Sequence, residues 1–179
     1  FGTMLVNQFW YNFSPTDIPV PSPGGLIGVA QGRLLRDWLE REGKLPAHSI
    51  VAGQRHSIGP ATFTILSPRE EDLHHYTDRW RRQEDEIKKA SAQIGATQSD
   101  HHLAIDALAQ NFFVCDASLS NRSSIAFIFQ VGAVSILFTS DAHPDVLVAS
   151  LRALGYSPTN SLRLDLMQVP HHGSRGNTS

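Results

Sequence analysis

The alternation of apolar and polar positions is sharpest in the last third of the chain. Ser123 to Gln130 and Ala133 to Thr139 are apolar runs separated by Val131-Gly132, the pattern of a β-hairpin. Asp141-Ala142-His143-Pro144 then opens a helix through Leu154, with Gly155 as its stop. One more short apolar run, from Leu164 to Val169, reads as a strand and ends abruptly at Pro170-His171-His172-Gly173-Ser174. Upstream, Leu5 to Trp10 alternates loosely and predicts a strand, and the prolines at 15, 19, 21 and 23 with Gly24-Gly25 mark a loop. Gly25 to Glu42 predicts a helix, its stripe of Ile27, Leu34, Leu35, Trp38 and Leu39 lying opposite Arg33, Arg36, Asp37 and Glu40. Ser49 to Gly53 and Ala61 to Leu66 predict short strands around Gly59-Pro60. Ser67 then reads as a helix cap, with Pro68 in the first turn and acids after it. This helix extends to about Ala92, with Leu73, Tyr76, Trp80 and Ile87 on one face.

Strands grouped with helices in this order predict an α+β fold in one domain spanning residues 1–179. Residues 93–112 lack a stripe until Leu103, Ile105 and Leu108, and read as an insertion or flexible connector. Hydrophobic content of 41% against 18% charged residues is that of a chain able to bury a core. The formal charge of −2 gives no global basic field, which argues against a dedicated DNA-binding module but not against an enzyme that meets DNA in a local groove. Arg79, Arg81 and Arg82 are followed at once by Glu84, Asp85 and Glu86, a solvated mixed-charge face rather than a phosphate patch. The lone cysteine, Cys115, excludes an internal disulfide and reads as a buried thiol rather than a nucleophile. No apolar run approaches membrane-spanning length and the first residues carry no signal-peptide pattern, so the expectation is a cytoplasmic protein without a membrane segment.

The chemistry-bearing side chains cluster at strand ends. Asp141 falls just past the run Ile136 to Phe138, and His171 and His172 just past the next strand. In α/β sheets ligands collect outside the carboxyl ends of strands, and carboxylate with imidazole is a donor set that zinc, manganese or iron accepts. Each residue also has a plain structural reading. Asp141 can serve as a helix cap ahead of Pro144, Asp145 as a complement to the helix dipole, Asp165 as the start of a strand, and His143 as a surface group. The pairs His74-His75 and His101-His102 are poor chelators, because adjacent helical residues point about 100° apart.

Thr139-Ser140-Asp141 followed by Val169-Pro170-His171-His172-Gly173-Ser174 resembles the C-terminal half of a metallo-β-lactamase-fold hydrolase. It is similar in particular to ComEC-type bacterial hydrolase domains and their phosphodiester-cleaving relatives. Asn121-Arg122-Ser123-Ser124-Ile125 resembles the lead-in to the preceding strand of that family, so the resemblance covers roughly residues 113–179. It implies an αββα four-layer sandwich, here a partial domain. It also implies two divalent metal ions, zinc or manganese, bridged by Asp141 and bound by His172. His171, Asn121, His143 and Ser174 are then left to face the substrate or support the ligands. The implied reaction is attack by metal-bound hydroxide on a phosphodiester such as nucleic acid, with Asp141, His171 and His172 as the catalytic set. Two departures stand out. Ser140 replaces the usual glycine, and the family's His-x-His-x-Asp-His segment occurs nowhere in the chain. The chain therefore reads as the middle and late part of a larger domain whose remaining segments are its partners. Two alternatives keep the same fold: a non-catalytic scaffold or regulatory module of a larger bacterial protein, a defence protein among the options, and a hydrolase of a small ester, amide or thioester.

Overall fold

The computed structural model describes residues 6–12, 27–76, 118–174 and 177. Among these, helices accompany a five-stranded mixed sheet, an α+β arrangement. The strands are β1 (Arg55–Ile58), β2 (Ala61–Ser67), β3 (Ala126–Val131), β4 (Val134–Phe138) and β5 (Leu166–Met167), neighbours in that order. The helices are α1 (Ile27–Arg41), α2 (described over residues 70–76), α3 (Leu119–Arg122) and α4 (Pro144–Ala153). The first four strands pair antiparallel, and β5 returns parallel to β4 after α4. None of the helices described is long and apolar enough to cross a membrane.

The β3–β4 hairpin forms where the apolar runs predict it. The turn sits one residue later than expected, at Gly132-Ala133, because Val131 still pairs with Val134 and Gly132 takes the left-handed conformation at φ 57°. Period-two alternation gives the sheet two unlike faces. Ile128 and Leu137 lie on one face, where they form a buried core with Leu66, Ala126, Ala142 and Leu147. Helix α4 closes that face with Val146 and Leu147, and its Ser150 hydroxyl donates to the Leu66 carbonyl at 2.6 Å. The opposite face carries Phe63, Phe127, Phe129 and Phe138, aligned across strands by the register and in ring contact from 5.1 to 5.6 Å. Trp10 packs edge-on against Phe63 at 4.9 Å and Phe127 at 5.8 Å, covering part of this aromatic face.

Four local expectations need correction. Residues 6–12 are not a strand. There, Asn12 uses its side-chain amide to accept the Ile50 N–H at 2.8 Å and to donate to the Ile50 carbonyl at 2.7 Å. Those bonds occupy both backbone groups of Ile50, Ala52 and Gly53 form a turn with Gly53 at φ 90°, and the strand begins instead at Arg55. The cap assigned to Ser67 also fails. Ser67 is still paired with Ala126, and the helix starts later, at residue 70. Finally, only part of the α1 stripe packs. Leu39 is fully buried and Trp38 stacks edge-on against Phe9 at 5.7 Å, whereas Leu34 is 68% exposed. The remainder of the expected second helix, the 93–112 connector, His101-His102 and Cys115 lie outside the described residues.

Candidate metal-binding half-site

Strand β4 ends at Phe138 and strand β5 at Met167, and the loops that follow these two parallel neighbours meet. Three bonds join them. The Thr139 hydroxyl donates to the Gln168 carbonyl at 2.9 Å, the Gln168 side-chain oxygen accepts the Ser140 N–H at 3.3 Å, and the His171 N–H donates to the Ser140 carbonyl at 2.9 Å. Asp165 fixes the other end of β5. Its carboxylate accepts the Ser135 N–H at 2.8 Å, which accords with a role at the start of the strand.

The backbone in these loops is strained. Ser140 (φ 48°), His171 (φ 45°) and His172 (φ 53°) are the non-glycine residues at positive φ among those described, and all three belong to this junction. Such conformations cost on the order of 1–3 kcal/mol each and gather where function fixes a geometry. At Ser140 the strain coincides with the departure from glycine noted in the sequence. The Ser140 hydroxyl donates to the Ile125 carbonyl at 2.9 Å and so helps to hold the turn.

Asp141 is not a helix cap. The N-cap of α4 is His143, and Pro144 takes the first helical position. Instead, the Asp141 Oδ1 lies 4.0 Å from the Nε2 of His172, with the carboxylate 38% exposed and the imidazole 89% exposed. Two ligands on one tetrahedral zinc, each at about 2.0–2.1 Å, are separated by roughly 3.3 Å. A small rotation of the exposed His172 ring closes that difference, so the donor pair fits a divalent cation. Two donors fall short of a complete shell, because a catalytic zinc takes three protein ligands or more. Among the described residues no group of three His, Cys, Asp or Glu side chains comes together.

His171 is turned the other way, toward polar neighbours. Its Nδ1 lies 3.1 Å from the side-chain oxygen of Asn177 and 3.4 Å from the amide nitrogen of Asn121. Ser174 follows the turn and donates its N–H to the His171 carbonyl at 2.8 Å. The structure thus brings Asp141, His171, His172 and Asn121 together, with Ser174 on the adjoining backbone.

His143 sits apart from this group. It is 4% exposed, and its Nδ1 accepts from Arg122 Nη1 at 3.3 Å. Arg122 is the centre of a charge network that the sequence reading missed. Its Nε donates to Asp72 Oδ1 at 2.6 Å and its Nη2 to Asp145 Oδ2 at 2.7 Å, while Arg69 reaches the same Asp72 at 2.7 and 3.1 Å. Burial works against the charge on Asp72, but the hydrogen bonds from Arg69 and Arg122 outweigh it and hold the carboxyl below its ordinary range. Asp145 is lowered in the same way, burial opposing and the Arg122 hydrogen bond prevailing. The network joins α2, α3 and the start of α4, and α3 carries Asn121 beside Arg122. His74 and His75 do not join a metal-capable group among the described residues; His74 borders a shallow groove with Arg69, Glu70 and Glu71. The residues missed in sequence gave little signal. Asp72 resembles an ordinary first-turn acid, and Asn177 lies in a polar stretch with no periodicity.

Compared with family models, curated proteins and solved structures, the chain finds no match in any of the three.

Proposed function

We propose that the chain is the later part of a metallo-β-lactamase-type αββα domain and that its Asp141–His172 pair is half of a two-metal hydrolytic site acting on phosphodiesters. The observation that carries this reading is the junction itself. A carboxylate and an imidazole are held 4.0 Å apart on strained loops, at the carboxyl ends of two adjacent parallel strands. The sheet adds support, since one face is closed by α4 and the other presents an aromatic surface suited to packing against a second sheet. In such a sandwich the second sheet and the remaining ligands come from other segments of the domain.

Within this reading, Asp141 and His172 hold the metal, and the strained backbone at Ser140, His171 and His172 fixes where the two side chains leave their loops. Metal ions bound there lower the pKa of water and stabilise charge on a phosphoryl oxygen. Asn121 and Ser174 line the same junction and orient the substrate or the ligands. Zinc suits the mixed carboxylate and imidazole donors, and manganese is the second candidate. The lone cysteine accords with a reducing, cytoplasmic setting.

The test is hydrolysis of single- and double-stranded DNA, RNA and a generic phosphodiester ester. It uses the protein carrying its natural remaining ligands, with and without divalent metal. Activity that needs metal and disappears in Asp141→Ala and His172→Ala supports the hydrolase. Metal-dependent turnover of a carboxylic ester or thioester but not of phosphodiesters would move the substrate class. Full activity in either variant would overturn the site.

A further inference from the structure

We propose that Asn177 is a positioning residue that fixes the tautomer of His171, with the proton on Nδ1 and the lone pair on Nε2, while tying the Asp141 loop to the His171 turn. Asn177 is 2% exposed, and its side chain reaches in two directions. The amide nitrogen donates to the Asp141 carbonyl at 3.3 Å and stands 3.5 Å from the Ala142 carbonyl, while the amide oxygen lies 3.1 Å from His171 Nδ1.

The carbonyls determine which way round the amide sits. Turned over, its oxygen would face two carbonyl oxygens inside a buried pocket, with no proton between them. With the nitrogen on the carbonyls, the oxygen facing His171 can only accept. Nδ1 must then be the protonated nitrogen, and a neutral His171 keeps its lone pair on Nε2. Asn121 Nδ2, at 3.4 Å from the same Nδ1, cannot also donate to a protonated nitrogen. The longer contact is the one that yields, since a protonated Nδ1 leaves the Asn121 amide nitrogen nothing to donate to.

The consequence reaches beyond stability. A neutral His171 of this form meets any ligand as an acceptor through Nε2 and cannot donate a hydrogen bond to a substrate oxyanion from that atom. Asn177 also makes the two site loops one mechanical unit, since it holds the Asp141 carbonyl and the His171 ring with one buried side chain. The inference concerns the same junction as the hydrolase reading, but it is read on metal-free protein and stands or falls separately.

The experiment is a long-range nitrogen–proton NMR correlation on the full, metal-free chain labelled with ¹⁵N-histidine, the His171 ring being assigned by His171→Gln. Wild type is expected to show a protonated, pyrrole-type Nδ1 and an unprotonated, pyridine-type Nε2 at a pH where the ring is neutral. Asn177→Ala should shift His171 toward the Nε2–H form that a free imidazole prefers. Asn177→Asp, which retains an acceptor for Nδ1–H, should restore the wild-type pattern although the carbonyl tie is lost. A wild-type ring already protonated on Nε2 would overturn the proposal, whether or not any variant folds. So would an Asn177→Ala spectrum identical to wild type. Loss of hydrolysis with the expected tautomer intact would instead count against the hydrolase reading alone.

Discussion

Asp72→Asn removes the anion on which two arginines converge. The Asp72 side chain is 5% exposed and accepts from Arg69 at 2.7 and 3.1 Å and from Arg122 at 2.6 Å. Removing one partner of a fully buried ion pair costs about 3–5 kcal/mol. Here the arginine side chains are 35% and 21% exposed, so water takes up part of the freed charge, and the expected loss is about 2–3 kcal/mol. Asp145→Asn breaks the other arm of the network, but that carboxylate is 62% exposed and its loss should cost below about 1 kcal/mol. Urea denaturation read by circular dichroism measures both, with the slope expected to stay constant while the midpoint falls. The effect also has a defined pH dependence. The folded Asp72 carboxyl is held below its ordinary value, so its stabilisation is complete above the unfolded pKa of about 3.9 and disappears as pH falls through the lower folded value. The difference between wild type and Asp72→Asn should therefore hold steady from neutral pH to about 5 and shrink at more acid pH. A loss no larger than that of Asp145→Asn, or a difference that grows on acidification, would refute the assignment of Asp72 as the network's anchor.

Substitutions at two further positions probe the site and the sheet. At Ser140, glycine would relieve a left-handed strain of roughly 1–2 kcal/mol but lose a hydroxyl bond to Ile125 worth about 1 kcal/mol and add chain entropy, so Ser140→Gly should leave the urea midpoint nearly unchanged. Ser140→Val, which puts a β-branched residue at that φ, should lower stability by about 2 kcal/mol or more, and equal midpoints for the two variants would contradict the strain argument. Trp10→Ala deletes the ring that packs on Phe63, Phe127 and His56, with an expected loss of about 3 kcal/mol by far-ultraviolet circular dichroism; a loss below about 1 kcal/mol would mean that Trp10 does not cover the aromatic face.

Much of the later half of the chain was legible in its sequence, because there local pattern and tertiary structure agree. Apolar runs of strand length flank Gly132, Pro144 starts α4, and Gly155 at φ 89° ends it, so β3, β4 and α4 fall close to their expected places. The meeting of the loops that carry Asp141, His171 and His172 was legible for the same reason, since strand ends locate those loops. Failures arose where a distant side chain overrides local preference. Asn12 takes the backbone groups of Ile50 across 38 positions, and no pattern around Ser49 to Gly53 announces it. Asp72 has the sequence context of a solvated first-turn acid, yet Arg122, 50 positions away, draws it into a buried network. His143, expected at the site or on the surface, joins that network too and leaves Asn177, an unremarked residue in a polar stretch, to hold the junction.

The central claim is that the Asp141–His172 pair binds metal as part of a larger shell, and elemental analysis tests it most directly. The protein carrying this chain with its natural remaining ligands should hold about two divalent ions per molecule after dialysis, and Asp141→Ala should remove them while leaving the fold intact. A wild-type protein that stays metal-free after reconstitution, or an Asp141→Ala variant that keeps its full metal content, would contradict the account.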